Sequence, residues 1–237
     1  MPSFLFLLLS LSFFSLPNGA FAKSSEMVFP AASIKSLSVS SPKGNIQING
    51  SGTNKDVIVK ITDLKPTAES AKCVKNMGLE GTKLVVSVSN ENGLFDKATC
   101  EFEIVISFNQ KTLSLPGSAI SVSSASADMS LKNVSSELDL KTASGKMTVS
   151  GDILRNIIAK SATGEQHFAF KNCPSRADVD LMTGTGDMVL KMPVNCKIRV
   201  DFKSATGKLF NPIGESEDYQ VKIVGKSASG DLTLGKL

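Results

Sequence analysis

The sequence predicts an all-β fold: a single-stranded, right-handed β-helix (solenoid) with an irregular N-terminal β capping region. Three observations carry this. A twelve-residue pattern (apolar, x, apolar, x, Ser/Thr, small, x, Gly, x, apolar, x, apolar) recurs seven times. Its last six copies follow one another at separations of 18, 19, 22, 21 and 23 residues. Apolar residues alternate with others on both sides of the glycine, which is the period of a half-buried strand.

The first copy is Leu37, Val39, Ser41, Gly44, Ile46, Ile48; the second, after a long gap, is Ile120, Val122, Ser124, Ala127, Met129, Leu131, with Ala in place of Gly. Then come Leu138, Leu140, Thr142, Gly145, Met147, Val149 and Ile157, Ala159, Ser161, Gly164, Gln166, Phe168. The last three are Val179, Leu181, Thr183, Gly186, Met188, Leu190; Val200, Phe202, Ser204, Gly207, Leu209, Asn211; and Ile223, Gly225, Ser227, Gly230, Leu232, Leu234. Gln166, Asn211 and Gly225 break the apolar slots, whereas the Ser/Thr slot is intact throughout. Each copy reads as strand, corner, strand, with the glycine placed where neighbouring backbones come close. An inward Ser/Thr column is expected to hydrogen-bond from rung to rung, because a buried hydroxyl needs a partner. Stacking such rungs in parallel implies a right-handed coil.

In chain order, residues 1–22 read as a secretory signal peptide: an apolar run from Phe4 to Leu16, Pro17, and a small-residue site ending Ala20-Phe21-Ala22, although no Lys or Arg precedes the run. Residues 23–237 then form a single β-solenoid domain, with irregular strands over 49–119 and regular rungs over 120–237. The irregular strands are Val57–Ile61, Leu84–Val88 and Phe102–Ile106, separated by loop signals at Asp63–Pro66, Asn90–Gly93 and Leu115-Pro116-Gly117. Thr67 to Met77 reads as a short helix. This region is expected to cap the stack, since an uncovered end rung would pair with other chains. At the other end Leu234 fills the last apolar slot and the sequence ends at Leu237. The final rung is therefore expected either to be an edge guarded by Lys226 and Lys236 or to dock on a partner.

Four cysteines in an exported chain imply two disulfides. Cys173 and Cys196 lie one rung apart in corresponding return segments and should stack; Cys73 with Cys100 follows by elimination. Zinc competes as a reading, but there is no CxxC pair and the single histidine, His167, lies elsewhere. A lipid-anchor cysteine near residue 22 and a later membrane-spanning segment are both missing, so the expected location is periplasmic, cell-surface or extracellular, with no transmembrane anchor. The net charge of +4 is mild, and one Tyr with no Trp disfavours nucleic acid and neutral sugars.

The segments Lys141-Thr142-Ala143-Ser144-Gly145, Lys160-Ser161-Ala162-Thr163-Gly164 and Lys226-Ser227-Ala228-Ser229-Gly230-Asp231-Leu232 resemble the bacterial DUF4097 and DUF2807 adhesin-type β-strand-repeat families. The resemblance extends through Phe102–Phe108 and Leu115-Pro116-Gly117 and covers most of the mature chain. It implies an exported β-helix and transfers no catalytic residue.

Chemistry on a β-helix would require converging carboxylates, or a base beside a cation site. The position after the glycine holds Asn45, Asp128, Lys146, Glu165, Asp187, Lys208 and Asp231, a mixed column better suited to turns than to catalysis or calcium. His167 sits at outward strand parity with no nucleophile elbow nearby in sequence. No catalytic residue, metal or cofactor is assigned. Four residues before the glycine, an outward column holds Lys141, Lys160, Met182, Lys203 and Lys226; six before it lie Asp139, Ile158, Asp180, Asp201 and Val224. The three arginines, Arg155, Arg176 and Arg199, recur at 21 and 23 residues, as if stacked. Solubilising a flat sheet accounts for such charges; a basic stripe for an anionic polymer is the sharper reading. The sequence thus points to a non-enzymatic exported structural or adhesion-type binding module of the bacterial cell envelope. Its expected partners are an envelope protein, or a second copy through the C-terminal rung. The alternative is a protein that binds or acts on anionic polysaccharide through the basic stripe.

Overall fold

The computed structural model describes residues 24–52, 55–67, 70–90, 100–113 and 117–237. The signal peptide expected over 1–22 lies outside them, as do most of the Asn90–Gly93 and Leu115–Gly117 loop signals. In chain order the strands are β1 (Ser24–Pro30), β2 (Ser36–Asn49), β3 (Asp56–Asp63), β4 (Cys73–Glu80), β5 (Lys83–Asn90), β6 (Glu101–Ser107), β7 (Ala119–Lys132), β8 (Glu137–Thr142), β9 (Met147–Ile153), β10 (Ile157–Thr163) and β11 (Gln166–Asn172). They continue as β12 (Ala177–Thr185), β13 (Met188–Met192), β14 (Ile198–Ser204), β15 (Leu209–Phe210), β16 (Val221–Ser227) and β17 (Leu232–Lys236).

Each rung is two strand arms meeting at the glycine corner, closed by a non-strand return segment, so the solenoid has two strand faces. In β2 and β7 both arms form one bent 14-residue strand; in later rungs the strand is interrupted at the corner, giving β8/β9, β10/β11, β12/β13, β14/β15 and β16/β17. Neighbouring rungs are parallel and in register, as in Leu138↔Ile157↔Val179↔Ile223 on the first arm and Met147↔Gln166↔Met188↔Leu232 on the second. The apolar slots become continuous inner columns, with Leu140, Leu181, Ile223, Met188 and Leu234 essentially without solvent contact.

The corner explains the glycine. Gly145, Gly164 and Gly186 have φ of 124°, 122° and 130°, where a side chain is strained. A Cβ on Gly164 would also strike the carbonyl oxygen of Gly145, and one on Gly186 that of Gly164. The hydroxyl slot works differently from the expected rung-to-rung ladder. Thr142 Oγ1 donates to the Ser144 carbonyl at 2.6 Å, Ser41 Oγ to that of Lys43 at 3.1 Å and Thr183 Oγ1 to that of Thr185 at 3.0 Å. Ser204 and Ser227 instead accept from the N–H of Gly207 and Gly230 at 2.8 and 2.6 Å. The tight bend brings these local backbone groups within reach, so in these five copies the slot caps its own corner, with Ser204 Oγ also donating to the Ala228 carbonyl of the neighbouring rung at 3.4 Å. Ser124 supports this account: its copy has Ala127 for glycine, and its Oγ is buried without a partner among the described residues.

Two of the pattern's exceptions are also accounted for. Gln166 is fully buried, and its Nε2 donates to Ser161 Oγ at 3.0 Å and to the Met182 carbonyl at 2.7 Å, tying two rungs across the interior. Gly225 leaves room for the Phe202 ring, which a Cβ would crowd at 2.9 Å.

The irregular region contains a further rung. β5 pairs in parallel with the first arm of β2 (Leu37↔Leu84, Val39↔Val86), and β6 pairs with its second arm (Ile46↔Ile104, Ile48↔Ile106). Outside this rung the chain turns antiparallel: β4 covers β5, β3 covers β6 and β1 covers β3. The helix expected over Thr67–Met77 is corrected. Thr67 and Ser70 do bond reciprocally at 2.9 and 3.1 Å, and Ser70 Oγ donates to Asp63 at 2.6 Å, but among the described residues of this span only one 3-10 turn, Ser70–Lys72, forms. From Cys73 onward the Cys73–Cys100 disulfide (Cα–Cα 5.8 Å) and eight residues of pairing with β5 prevail.

The C-terminal end also differs from expectation. β16 pairs with both β12 and β14, and β17 with both β13 and β15. The last rung in sequence is therefore interior, and the rung before it, β14/β15, is the outermost. The ten-residue return 211–220 is long enough to pass the outer rung and re-enter the stack.

Gly164→Ala combines backbone strain with a steric clash and is expected to cost about 3 kcal/mol, lowering Tm by roughly 6–12 °C in calorimetry. Gly78→Ala, where a Cβ meets nothing within 4 Å, should leave Tm within about 2 °C of the parent; equal shifts in the two variants would refute the corner account. Glu101 is held below the usual carboxylate range, chiefly by the Lys65 side chain at 2.9 Å and also by Lys43 at 3.2 Å. Because its folded pKa is depressed, its contribution is present above the unfolded pKa and is lost as pH falls through the folded one. Thermal scans of Glu101→Gln should accordingly show a shallower fall in Tm between about pH 5 and pH 3 than the parent.

Candidate functional site

The outer face of the first arm carries the predicted charges, in an order set by the stacking. Its corner-side column runs Ser40, Ser123, Lys141, Lys160, Met182, Lys226, Lys203. The intercalated last rung thus places Lys226 beside Lys203 and Lys222 beside Arg199. Adjacent strands lie about 4.8 Å apart, so these are like-charge neighbours, which a sheet ordinarily avoids.

Aspartates relieve part of this charge. Lys141 Nζ is 2.8 Å from Asp139 and Lys203 Nζ 3.8 Å from Asp201. Among the described residues Lys160 and Lys226 show no ion pair within 4 Å. The stripe is therefore two lysine pairs separated by Met182, and its densest part is the quartet Arg199, Lys203, Lys222 and Lys226 at the C-terminal end of the stack. Strand alternation, which points every second side chain outward, presents all four on this face.

The arginines do not form a ladder. Arg199 lies on β14 in register with Lys222, which is itself opposite Asp178. Arg155 and Arg176 lie in return segments outside the strands. Their regular sequence spacing fails to align them because β10 and β12 are offset by 22 residues and because a rung intervenes before β14. Arg199 is instead 5.8 Å from the Tyr219 ring centroid, a cation–π arrangement that holds the guanidinium over the return segment. Lys222 and the contact of Arg199 with Tyr219, the chain's single tyrosine, escaped the sequence reading, since only the rung order reveals them.

The Cys173–Cys196 disulfide, with a Cα–Cα distance of 5.6 Å, clamps the return segment leading into β12 to that leading into β14. Beside it Lys197 Nζ meets Asp218 at 2.7 Å, and this contact draws the Asp218 carboxyl below its ordinary range. The brace fixes the take-off of the outermost strand and thus the position of Arg199.

The second arm's charges mostly serve the corners. The Lys146 N–H donates to Asp128 at 2.8 Å, Asp231 N–H to Asp187 at 3.0 Å and Lys208 N–H to Asp231 at 2.7 Å, each across adjacent rungs. Glu165 bridges Lys146 at 2.8 Å and His167 at 3.2 Å, and is held below the usual carboxylate range mainly by Lys146. His167 is thus a half-exposed strand residue facing a carboxylate. Among the described residues no His, Cys, Asp and Glu groups are arranged to hold a metal ion. Nor is any described helix long and apolar enough to cross a membrane.

Comparison with known proteins agrees with the fold. Residues 10–235 match the family described as Toastrack DUF4097. A crystal structure described as a "putative cell adhesion protein" from Clostridium sporogenes superposes with a TM-score of 0.55 at 11% identity, over 92% of this chain and 100% of that one. A second, described as a "putative adhesin" from Bacteroides fragilis, gives 0.47 at 12% identity, over 90% and 97%. At such identities the first establishes a shared fold alone. No curated protein matches the sequence significantly.

Proposed function

The chain belongs to the Toastrack DUF4097 family, and on that premise we propose that it is a non-enzymatic, exported β-helical module that binds a partner in the bacterial cell envelope. Export is supported by the residue 1–22 leader pattern and by two disulfides, which persist in oxidising compartments. Adhesion-type binding is supported by the description attached to the C. sporogenes structure. The observation that carries the reading is the first-arm face itself: a rigid parallel sheet, braced by the Cys173–Cys196 disulfide, that presents cations at fixed strand spacing.

The like-charge neighbours Lys203–Lys226 and Arg199–Lys222 favour a second reading, in which the ligand on this face is an anionic polysaccharide. An anion laid along the columns would relieve repulsion that the protein's own aspartates leave in place.

Photoreactive crosslinking from position 160 in living cells separates the two readings. A discrete protein adduct is expected for an envelope partner, a polysaccharide smear would move the second reading to first place, and no adduct at all would reject both. For the polyanion reading, Lys160→Glu with Lys226→Glu should weaken retention on dextran sulfate and polygalacturonate by about tenfold or more at low salt, with an unchanged Tm. Undiminished binding in that variant would exclude the stripe.

A further inference from the structure

The outermost strand β14 pairs on one side with β16. Among the described residues its other edge is covered only at the start: Ser216 N–H donates to the Ile198 carbonyl at 2.9 Å, and Val200 N–H donates to the Glu215 carboxylate at 3.3 Å. Backbone groups alternate in direction along a strand, so the N–H and C=O of Phe202, which share the parity of Ile198 and Val200, also face this edge. Among the described residues no strand pairs there. Beyond the corner Leu209 and Phe210 are 40% and 63% exposed. The result is a short open edge flanked by apolar side chains, the geometry that recruits another strand.

We infer that β14 is a self-association edge, at which two copies of this chain pair antiparallel about a two-fold axis through Phe202. Residues at equal distances from the axis then face each other, so Asp201 lies opposite the second copy's Lys203, and Lys203 opposite its Asp201. Both are outward positions of the non-hydrogen-bonded kind, where side chains approach most closely. Phe202 exchanges two backbone hydrogen bonds with its counterpart.

Other registers are worse. An axis through residue 201 sets Asp201 against Asp201 and Arg199 against Lys203, whereas one through residue 203 sets Lys203 against Lys203. An axis through residue 200 needs the Ile198 carbonyl and Val200 N–H, which Ser216 and Glu215 already occupy. The register centred on Phe202 alone places its central hydrogen-bonded pair on open backbone and forms two opposite-charge pairs; it sets Val200 opposite the second copy's Ser204, where the Val200 carbonyl accepts while its N–H keeps the bond to Glu215. Such an interface is isologous and closes at two copies.

Sedimentation of the purified chain over a concentration series tests this, together with hydrogen exchange at Phe202 and Ser204. A concentration-dependent shift from monomer to dimer is expected, with slower exchange of both amides in the dimer. Lys203→Asp places like charges opposite one another at both pairs and should weaken the dimer about tenfold or more. Within one chain it sets the new Asp beside Lys226, so the fold is retained, as an unchanged Tm would show. The exchanged pair, Asp201→Lys with Lys203→Asp, restores both opposite-charge contacts and should restore dimerisation. A monomer at every concentration, open-ended growth past the dimer, an undiminished Lys203→Asp dimer or failure of the exchanged pair would each overturn the assignment.

Discussion

The close approach of successive backbones at the glycine corner is the constraint on which the rest of the structure depends. At Gly145, Gly164, Gly186, Gly230 and Gly207 the volume a Cβ would fill is occupied by a carbonyl group of the neighbouring rung. This contact sets both the bend between the arms and the register between rungs. Once the corners stack, strand alternation aligns every other column without further specification. The Ser/Thr slot, Asp128, Asp187 and Asp231 all act at the same place, satisfying backbone groups that the bend removes from the strand ladder. Side chains that look like candidates for chemistry in a linear sequence are thereby engaged in holding corners.

Both ends of the stack are finished by chain that doubles back. The first rung in sequence, β2, lies between the β5/β6 rung and β7; the last, β16/β17, lies between β12/β13 and β14/β15. An end rung in a solenoid has neighbours on one side only and frays first. Enclosing the rungs nearest the chain termini gives each of them two neighbours, while the rungs left outside are secured by other means. The N-terminal one carries antiparallel cover from β4 and β3 and the Cys73–Cys100 bridge. The C-terminal one has the Cys173–Cys196 clamp and the contacts of Glu215 and Ser216.

What could be read from the sequence was what repeats. The glycine corner, the inner columns, the outward lysines and the Cys173–Cys196 pair follow from in-register periodicity, the Cys73–Cys100 pair followed by elimination, and all are found in the structure. The β5/β6 rung was obscured because ten residues separate Asn90 from Glu101 at its corner and because Phe102 occupies the glycine place opposite Gly44. The order of the last two rungs was hidden for a deeper reason. Copies of one pattern are interchangeable as neighbours, so the pattern cannot say which stacks on which. The relevant signal was the return length: 211–220 has ten residues, whereas the returns 133–136, 154–156, 173–176 and 193–197 have three to five. The arginine ladder failed on the same point, since spacings of 21 and 23 residues align side chains only if they match the offset between neighbouring rungs and no rung is skipped.

Rung order also decides where the surface departs from neutrality. With Lys226 and Lys222 on the outer rung, they would be opposed by a neighbour on one side only. Intercalation instead opposes Lys222 to both Asp178 and Arg199, and Lys226 to both Met182 and Lys203. The outer rung then becomes β14, which brings Asp201 and Lys203 to the open edge and Arg199 over Tyr219. Concentrated positive charge and unpaired backbone therefore occur together at one end of an otherwise balanced solenoid, as two consequences of a single topological choice. A charged edge strand resists indiscriminate pairing, yet alternating charges of opposite sign on that strand are complementary to their own two-fold image. The features that protect this end from arbitrary strands are thus also those that can select a specific one.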